Sequence, residues 1–100
     1  MRPQLDDPAW LDAQYNNRAR VADAMTHLAK WAEASALVRE RSVRKALDLP
    51  YGDGPSETLD VFAAAAPNAP VLIYVHGGYW RSLDKSDFSF VAPSFVADGA

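Results

Sequence analysis

The chain has 100 residues, of which 49% are hydrophobic and 23% charged, and its formal net charge is -3. This composition is typical of a soluble globular protein, and the negative charge argues against nucleic-acid binding through a basic surface. There is no cysteine, which excludes disulfides, a cysteine-based zinc site and a cysteine nucleophile. No run approaches the ~18 apolar residues of a membrane span and the acidic N-terminus does not resemble a secretory signal, so we expect a cytoplasmic protein.

Residues 1–42 are predicted to form an N-terminal helical segment. Asp7-Pro8 predicts a helix start, because aspartate accepts hydrogen bonds from free amides and proline fits the first helical position. Asn16-Asn17 is expected to interrupt this helix, since asparagine side chains compete for backbone hydrogen bonds. A longer helix is predicted over residues 19–40. Its buried face would carry apolar and small residues spaced at three and four: Val21, Met25, Leu28, Ala32 and Ser35, beside Trp31 and Val38.

Several residues of this helix have two interpretations. Trp31 is expected to be a core residue, and His27 is expected to be solvated or hydrogen-bonded. A pocket role for either residue stays open. A basic cluster near the helix end is expected to complement the helix dipole rather than to bind a polyanion: Arg39, Arg41, Arg44 and Lys45. Two histidines, His27 and His76, fall short of the three protein ligands of a catalytic zinc, so no metal site is predicted.

Residues 43–100 are predicted to begin an α/β domain. Val43–Leu49 and Glu57–Phe62 alternate, with a turn-rich segment between them, and predict an antiparallel hairpin. In the first strand, Leu47 and Leu49 would face one side and Asp48 the other. The unbroken apolar run Val71–Val75 predicts a third strand that is covered on both faces, as in parallel sheets.

The last helix is predicted over residues 88–98. Phe88, Phe95 and Val96 recur at helical spacing, but Pro93 should kink the helix or delay its start, because its ring removes an amide donor. The polar segment before it, residues 81–87, should be a loop or a helical turn. Gly99 is expected to cap the helix at its C-terminus.

The segment His76-Gly77-Gly78 follows the third strand directly. Neither glycine has a Cβ, so the backbone can adopt positive φ and approach a ligand closely. We therefore predict a loop whose amides bind an oxyanion, while an ordinary Gly-Gly turn remains the alternative. His76 is expected to brace this loop by hydrogen bonding rather than to act as a general base, since no nucleophile is evident within its reach.

No serine of the chain lies in the Gly-x-Ser-x-Gly turn that exposes a catalytic nucleophile. Four serines follow the glycine loop: Ser82, Ser86, Ser89 and Ser94. Each is expected to be a helix cap or a solvated hydroxyl.

Two stretches carry a resemblance to a known family. Tyr51-Gly52 with Glu57–Phe62, and above all the block from His76 to Phe88 (HGGYWRSLDKSDF), resemble the N-terminal part of α/β-hydrolase-fold esterases, especially kynurenine formamidase-like (arylformamidase-like) enzymes. The resemblance implies the first strands and first helix of an α/β-hydrolase domain in residues 43–100. It also implies that amides of Gly77, Gly78 and Tyr79 form the oxyanion hole and that Tyr79 and Trp80 wall the substrate pocket.

In that family a catalytic serine, aspartate and histidine follow this region, so we expect residues 1–100 to be the front part of a longer protein and not a stable monomer. The resemblance implies a serine-dependent hydrolase of small carboxylic esters or aryl formamides, with N-formylkynurenine as the most specific candidate. The implied chemistry needs only side chains and backbone groups, so no cofactor is expected. On the grounds of charge and of the missing apolar span we expect no nucleic-acid partner and no membrane partner, and homo-oligomerisation stays open. A non-catalytic fragment or pseudoenzyme that contacts a partner is the alternative.

Overall fold

The computed structural model of the chain describes residues 5–78 and 82–100. These residues fall into two compact units, Met1–Lys30 and Trp31–Ala100. The predicted division after residue 42 follows secondary structure and stays a prediction. In chain order, the elements are α1 (Pro8–Tyr15), α2 (Asn17–Arg20), α3 (Ala24–Arg41), β1 (Lys45–Pro50), β2 (Thr58–Phe62), two 3₁₀ turns (Lys85–Asp87 and Ser89–Val91) and α4 (Ala92–Ala97). Within the described part of the chain, no helix combines the length and apolarity needed to cross a membrane.

The first two helices begin at the caps that the sequence predicts. The Asp7 carboxylate accepts the Ala9 amide at 3.0 Å, and Pro8 occupies the first turn of α1. Asn16 ends α1 and caps α2, where its Oδ1 accepts the Ala19 amide at 3.2 Å. The predicted helix start and the predicted interruption are therefore confirmed.

The long helix begins later than predicted and is less buried. Val21 has an extended backbone, with φ -99° and ψ 108°, so α2 ends there and α3 starts only at Ala24. Of the predicted buried face only Ser35 is fully buried, whereas Met25 is 67% exposed. The prediction of one continuous buried face is wrong for the first half of α3, because an apolar stripe is buried only where another element covers it.

The predicted hairpin is confirmed. The predicted distribution of the residues of its first strand between the two faces of the sheet is wrong. β1 and β2 are antiparallel, and Ala46 lies opposite Val61 while Leu49 lies opposite Leu59. Leu47 and Asp48 therefore lie together opposite the single residue Asp60. This two-against-one arrangement is a β-bulge. Because a bulge inserts one extra residue, it overturns the simple alternation of sides along residues 43–49.

The prediction of a third strand over residues 71–75 is wrong. Residues 71–75 form no strand, because the sheet of the described residues contains only β1 and β2, paired with each other. A strand exists only through backbone hydrogen bonds to a neighbouring strand, and an apolar run does not supply that neighbour. The side chains are also not covered on both faces, since their exposed fractions run from 51% at Tyr74 to 86% at Val71.

An aromatic cluster forms the small core of the second unit. Phe88 is the one buried hydrophobic residue among those described. Its ring centroid lies 6.1 Å from that of Trp31, 5.9 Å from Tyr74 and 6.3 Å from Phe90. The cluster thus joins α3, the extended segment 71–75 and the second 3₁₀ turn.

Helix α4 (Ala92–Ala97) is shorter than the predicted span 88–98, whereas its predicted glycine cap is confirmed. Pro93 lies in its first turn, so the regular helix starts only at Ala92. At the other end Gly99 adopts φ 100°, its amide donates to the Val96 carbonyl at 3.1 Å, and the Ala100 amide donates to Phe95 at 3.0 Å. This pair of bonds is the Schellman motif, in which glycine adopts the left-handed conformation at no steric cost.

Candidate functional site

The loop that begins at His76 has a defined peptide orientation. The Nδ1 atom of His76 lies 2.8 Å from the Gly77 carbonyl oxygen, and because a carbonyl only accepts, Nδ1 carries the proton of this contact. The described peptide bonds are all trans. In a trans peptide the N–H is opposite to the C=O, so the Gly78 amide points away from the His76 ring.

The two glycines of the loop differ in what they require. Gly78 has φ 134°, a conformation that side-chain-bearing residues rarely adopt, whereas Gly77 does not have positive φ. The Ser82 amide donates to the Gly78 carbonyl at 3.2 Å and closes a turn. A Cβ on Gly78 would lie 1.9 Å from the Ser82 carbonyl oxygen, while a Cβ on Gly77 would meet nothing within 4 Å. Glycine is therefore needed at 78 for both space and backbone conformation.

The backbone amides of Gly77 and Gly78 both belong to the part of the chain that the structure describes. Gly77 is exposed and Gly78 partly exposed, and neither amide donates to a described carbonyl. Tyr79 and Trp80 lie outside the described residues, so the third predicted donor and the predicted pocket walls stay predictions. The described geometry thus leaves two amides without a described backbone acceptor, and His76 helps to set the orientation of the peptide between them.

The first 3₁₀ turn follows this loop and has a reciprocal cap. The Asp84 carboxylate accepts the Ser86 amide at 3.0 Å, and the Asp87 carboxylate accepts the Asp84 amide at 2.9 Å. The hydrogen bonds from the amide and then the hydroxyl of Ser86 hold the pKa of Asp84 below its usual value, against a smaller opposing effect of burial. The positive charge of Lys85 and then the nearby imidazole of His76 lower that pKa further. The segment expected to be a loop or helical turn is therefore a capped turn.

The serines after the loop were expected to be helix caps or solvated hydroxyls. This expectation is wrong for Ser89. Ser89 is buried, and its hydroxyl accepts a hydrogen bond from Arg39 Nη1 at 3.1 Å. It is neither a cap nor solvated, because the second 3₁₀ turn lies against α3. Ser86 accepts from the same guanidinium through its carbonyl, and Ser94 is exposed on α4.

The remaining candidates on α3 also have structural partners. His27 Nε2 lies 3.1 Å from the Asp23 carboxylate, and both side chains are exposed. The Lys45 ammonium donates to the carbonyls of Arg39 and Glu40 at the C-terminal end of α3, as expected of a cation at a helix C-terminus. Among the residues outside the two gaps, no group of three histidine, aspartate or glutamate side chains is placed to hold a metal.

A charged cluster of Lys85, Asp48 and Asp60 was not predicted. The Lys85 Nζ lies 2.5 Å from Asp48 Oδ1 and 2.7 Å from Asp60 Oδ1. Burial lowers the pKa of Lys85, but the hydrogen bonds and charges of the two carboxylates outweigh it and raise the pKa above its usual value. The partners lie 37 and 25 residues away in sequence and meet only through the bulge, so no local pattern signals the cluster.

Two curated relatives resemble the chain. A kynurenine formamidase from Danio rerio is 44% identical over 69 residues, which is 66% of this chain and 24% of the relative. A kynurenine formamidase from Salmo salar is 32% identical over 90 residues, 87% of this chain and 30% of the relative. The chain thus spans less than a third of the length of either relative. No protein-family model matches the chain, and no solved structure gives a significant match. The two similarities support a formamidase-like relationship.

Proposed function

We propose that the protein containing these residues is a serine-dependent α/β hydrolase that cleaves aryl formamides or small carboxylic esters, with N-formylkynurenine as the most specific candidate. The observation that carries the proposal is the pair of amides at Gly77, which is exposed, and Gly78, which is partly exposed, because neither donates to a described carbonyl. The similarity to two kynurenine formamidases supports the choice of a formamide over other acyl substrates.

The proposed chemistry is acyl transfer. A serine hydroxyl gives its proton to a histidine as its oxygen bonds to the formyl carbon, the carbonyl electrons move to oxygen, and the loop amides donate to the resulting oxyanion. The C–N bond then breaks as a histidine gives a proton to the leaving amine, and water releases formate from the serine. Each donor to the oxyanion contributes about 2.7 to 4 kcal/mol of transition-state stabilisation.

The residues of this chain have supporting roles in that proposal. Gly77, Gly78 and Tyr79 supply amides, His76 holds the Gly77 carbonyl, and Tyr79 and Trp80 wall the pocket. The serine, aspartate and histidine are supplied by a segment that follows residue 100 in the longer protein. The reaction needs only side chains and backbone groups, so we assign no cofactor and no metal.

The exposed apolar segment 71–75 supports the larger α/β-hydrolase domain. Val71, Ile73 and Val75 are each more than four-fifths exposed, whereas Leu72 and Tyr74 are about half exposed. Contiguous apolar surface of this kind is unusual on a soluble protein and marks a place where something packs. In the proposed domain further elements pack against this segment.

Turnover by the full-length protein tests the proposal. N-formylkynurenine and a phenyl ester are incubated with the protein, and formate, amine and phenol are measured. We expect turnover of at least one of the two substrates, and covalent labelling of a serine by a fluorophosphonate that abolishes it. Protein inactivated beforehand with the same reagent is the control. Absence of both turnover and labelling would favour a non-catalytic protein that contacts a partner.

A further inference from the structure

The bulge of the hairpin places two carboxylates at one position. Asp48, with φ 57°, is the extra residue of the bulge, and it shares its place opposite β2 with Leu47. Its amide donates to Asp60 Oδ1 at 2.9 Å. In a regular ladder Asp48 would lie opposite Leu59, on the other face from Asp60, so the bulge brings the two acidic side chains together.

Lys85 fills the space between these carboxylates. Its side chain is 24% exposed, and the side chain of Asp60 is only 7% exposed. A carboxylate largely removed from water is stabilised by a cation and by hydrogen bonds. Lys85 supplies the cation and the Asp48 amide supplies one hydrogen bond.

Local hydrogen bonds connect the turn that contains Lys85 to the glycine loop. Ser82 closes on Gly78 through its amide, and the reciprocal cap of Asp84 fixes the turn in which Lys85 lies. Between them Leu83 adopts φ 70°, a left-handed conformation that leucine rarely takes. Such a conformation persists only where its surroundings hold it on both sides, here the turn at Gly78 and the cap at Asp84.

We propose that Lys85 is a positioning residue of the site: its ion pair with Asp48 and Asp60 holds the C-terminal end of the Gly77-Gly78 loop on the bulge of the hairpin. The inference rests on the proposed function. Lys85 acts through the cap at Asp84, through Leu83 and through the hydrogen bond between Ser82 and Gly78, and it touches no reacting atom. Releasing it shifts the Gly78 amide and reduces stabilisation of the transition state more than binding of the substrate.

Two variants of the full-length protein separate positioning from stability. Lys85→Met keeps the apolar stem and removes the ammonium, which leaves Asp60 buried and unpaired and lowers the melting temperature. Lys85→Met combined with Asp60→Asn removes the unpaired charge. Because asparagine still accepts the Asp48 amide, the double variant should regain thermal stability without regaining the tie to the loop. Lys30→Met, at an exposed lysine of α3, is the matched control.

The readout is kcat and KM for the formamide or ester that the unmutated protein turns over. We expect kcat of the double variant to stay about 10- to 100-fold below the unmutated value at similar KM, since small misplacements cost this much. Lys30→Met should keep both constants. A double variant with regained melting temperature and unmutated kcat would overturn the role of Lys85. Absence of turnover by the unmutated protein would instead overturn the proposed function, and the inference with it.

Discussion

The imidazole ring of His76 lies almost parallel to the phenyl ring of Phe88, with centroids 5.6 Å apart and planes 14° apart. Phe88 is the buried centre of the aromatic cluster. The residue that opens the glycine loop is therefore anchored on the core of the second unit, and the direction of the Gly77 carbonyl depends on that anchor.

Replacement of Phe88 by leucine tests this anchor. Leucine keeps most of the apolar area but loses the ring contacts with His76, Tyr74, Trp31 and Phe90. We expect the free energy of unfolding to fall by about 1 to 2 kcal/mol, measured by urea denaturation of the full-length protein. Phe95→Leu, at a side chain of α4 that is 45% exposed, should cost clearly less. Equal losses in the two variants would contradict a central role for Phe88.

Ser35 gives a second test of the contact between α3 and the 3₁₀ turns. Its fully buried hydroxyl accepts the Phe90 amide at 3.0 Å. Ser35→Ala leaves that amide without a partner, so we expect a loss of about 1 to 3 kcal/mol in the free energy of unfolding. Ser94→Ala, at an exposed position of α4, should change it by less than about 0.5 kcal/mol. A Ser35→Ala variant as stable as the Ser94→Ala variant would show that the bond contributes nothing net.

The cap at Asp84 predicts a pH dependence of stability. Hydrogen bonds from Ser86 lower the pKa of Asp84 in the folded chain. A carboxyl group with a lowered folded pKa stabilises the fold above its unfolded pKa of about 3.9, and this contribution is lost as the pH falls through the folded pKa.

Asp84→Asn keeps a side chain that can cap and removes the charge. We expect the unmutated protein to be the more stable of the two near neutral pH, with the difference shrinking as the pH falls below about 4. Urea midpoints of both proteins across this pH range measure the effect. A difference that stays constant with pH would show that the charge of Asp84 contributes nothing to the cap.

Local signals in the sequence were sufficient for the start of α1, for the break between α1 and α2 and for the C-terminal cap of α4. Asp7, Asn16 and Gly99 bond to amides or carbonyls within a few residues of themselves, so residue type and spacing predict them. The cluster of Lys85, Asp48 and Asp60 depends instead on a bulge and on contacts across more than 20 residues of chain. No local pattern encodes such a contact, because the same residue types occur on solvated surfaces.

The prediction of a strand over residues 71–75 was wrong for a different reason. Its five apolar residues predict strand propensity and burial, yet both depend on neighbours that the described residues do not provide. For the site, the sequence predicted a glycine-dependent loop, and the structure adds that Gly78 rather than Gly77 has the positive φ. That distinction depends on the turn closed by Ser82, which the sequence does not reveal.

The difference between the two glycines allows a matched pair of variants in the full-length protein. Gly78→Val places a side chain on the Ser82 carbonyl and forces the backbone out of its positive φ, so the loop amides move. Gly77→Ala meets no atom within 4 Å and keeps its amide, so we expect a smaller loss. Melting temperatures of both variants serve as the control for folding.

The kcat for N-formylkynurenine, or for the ester if that is the substrate turned over, is the most direct test of the oxyanion role. The proposed hydrolase mechanism predicts that Gly78→Val lowers kcat by about 100- to 1,000-fold, the typical effect of losing one oxyanion donor, while the protein remains folded. A folded Gly78→Val variant with the kcat of the unmutated protein would contradict it.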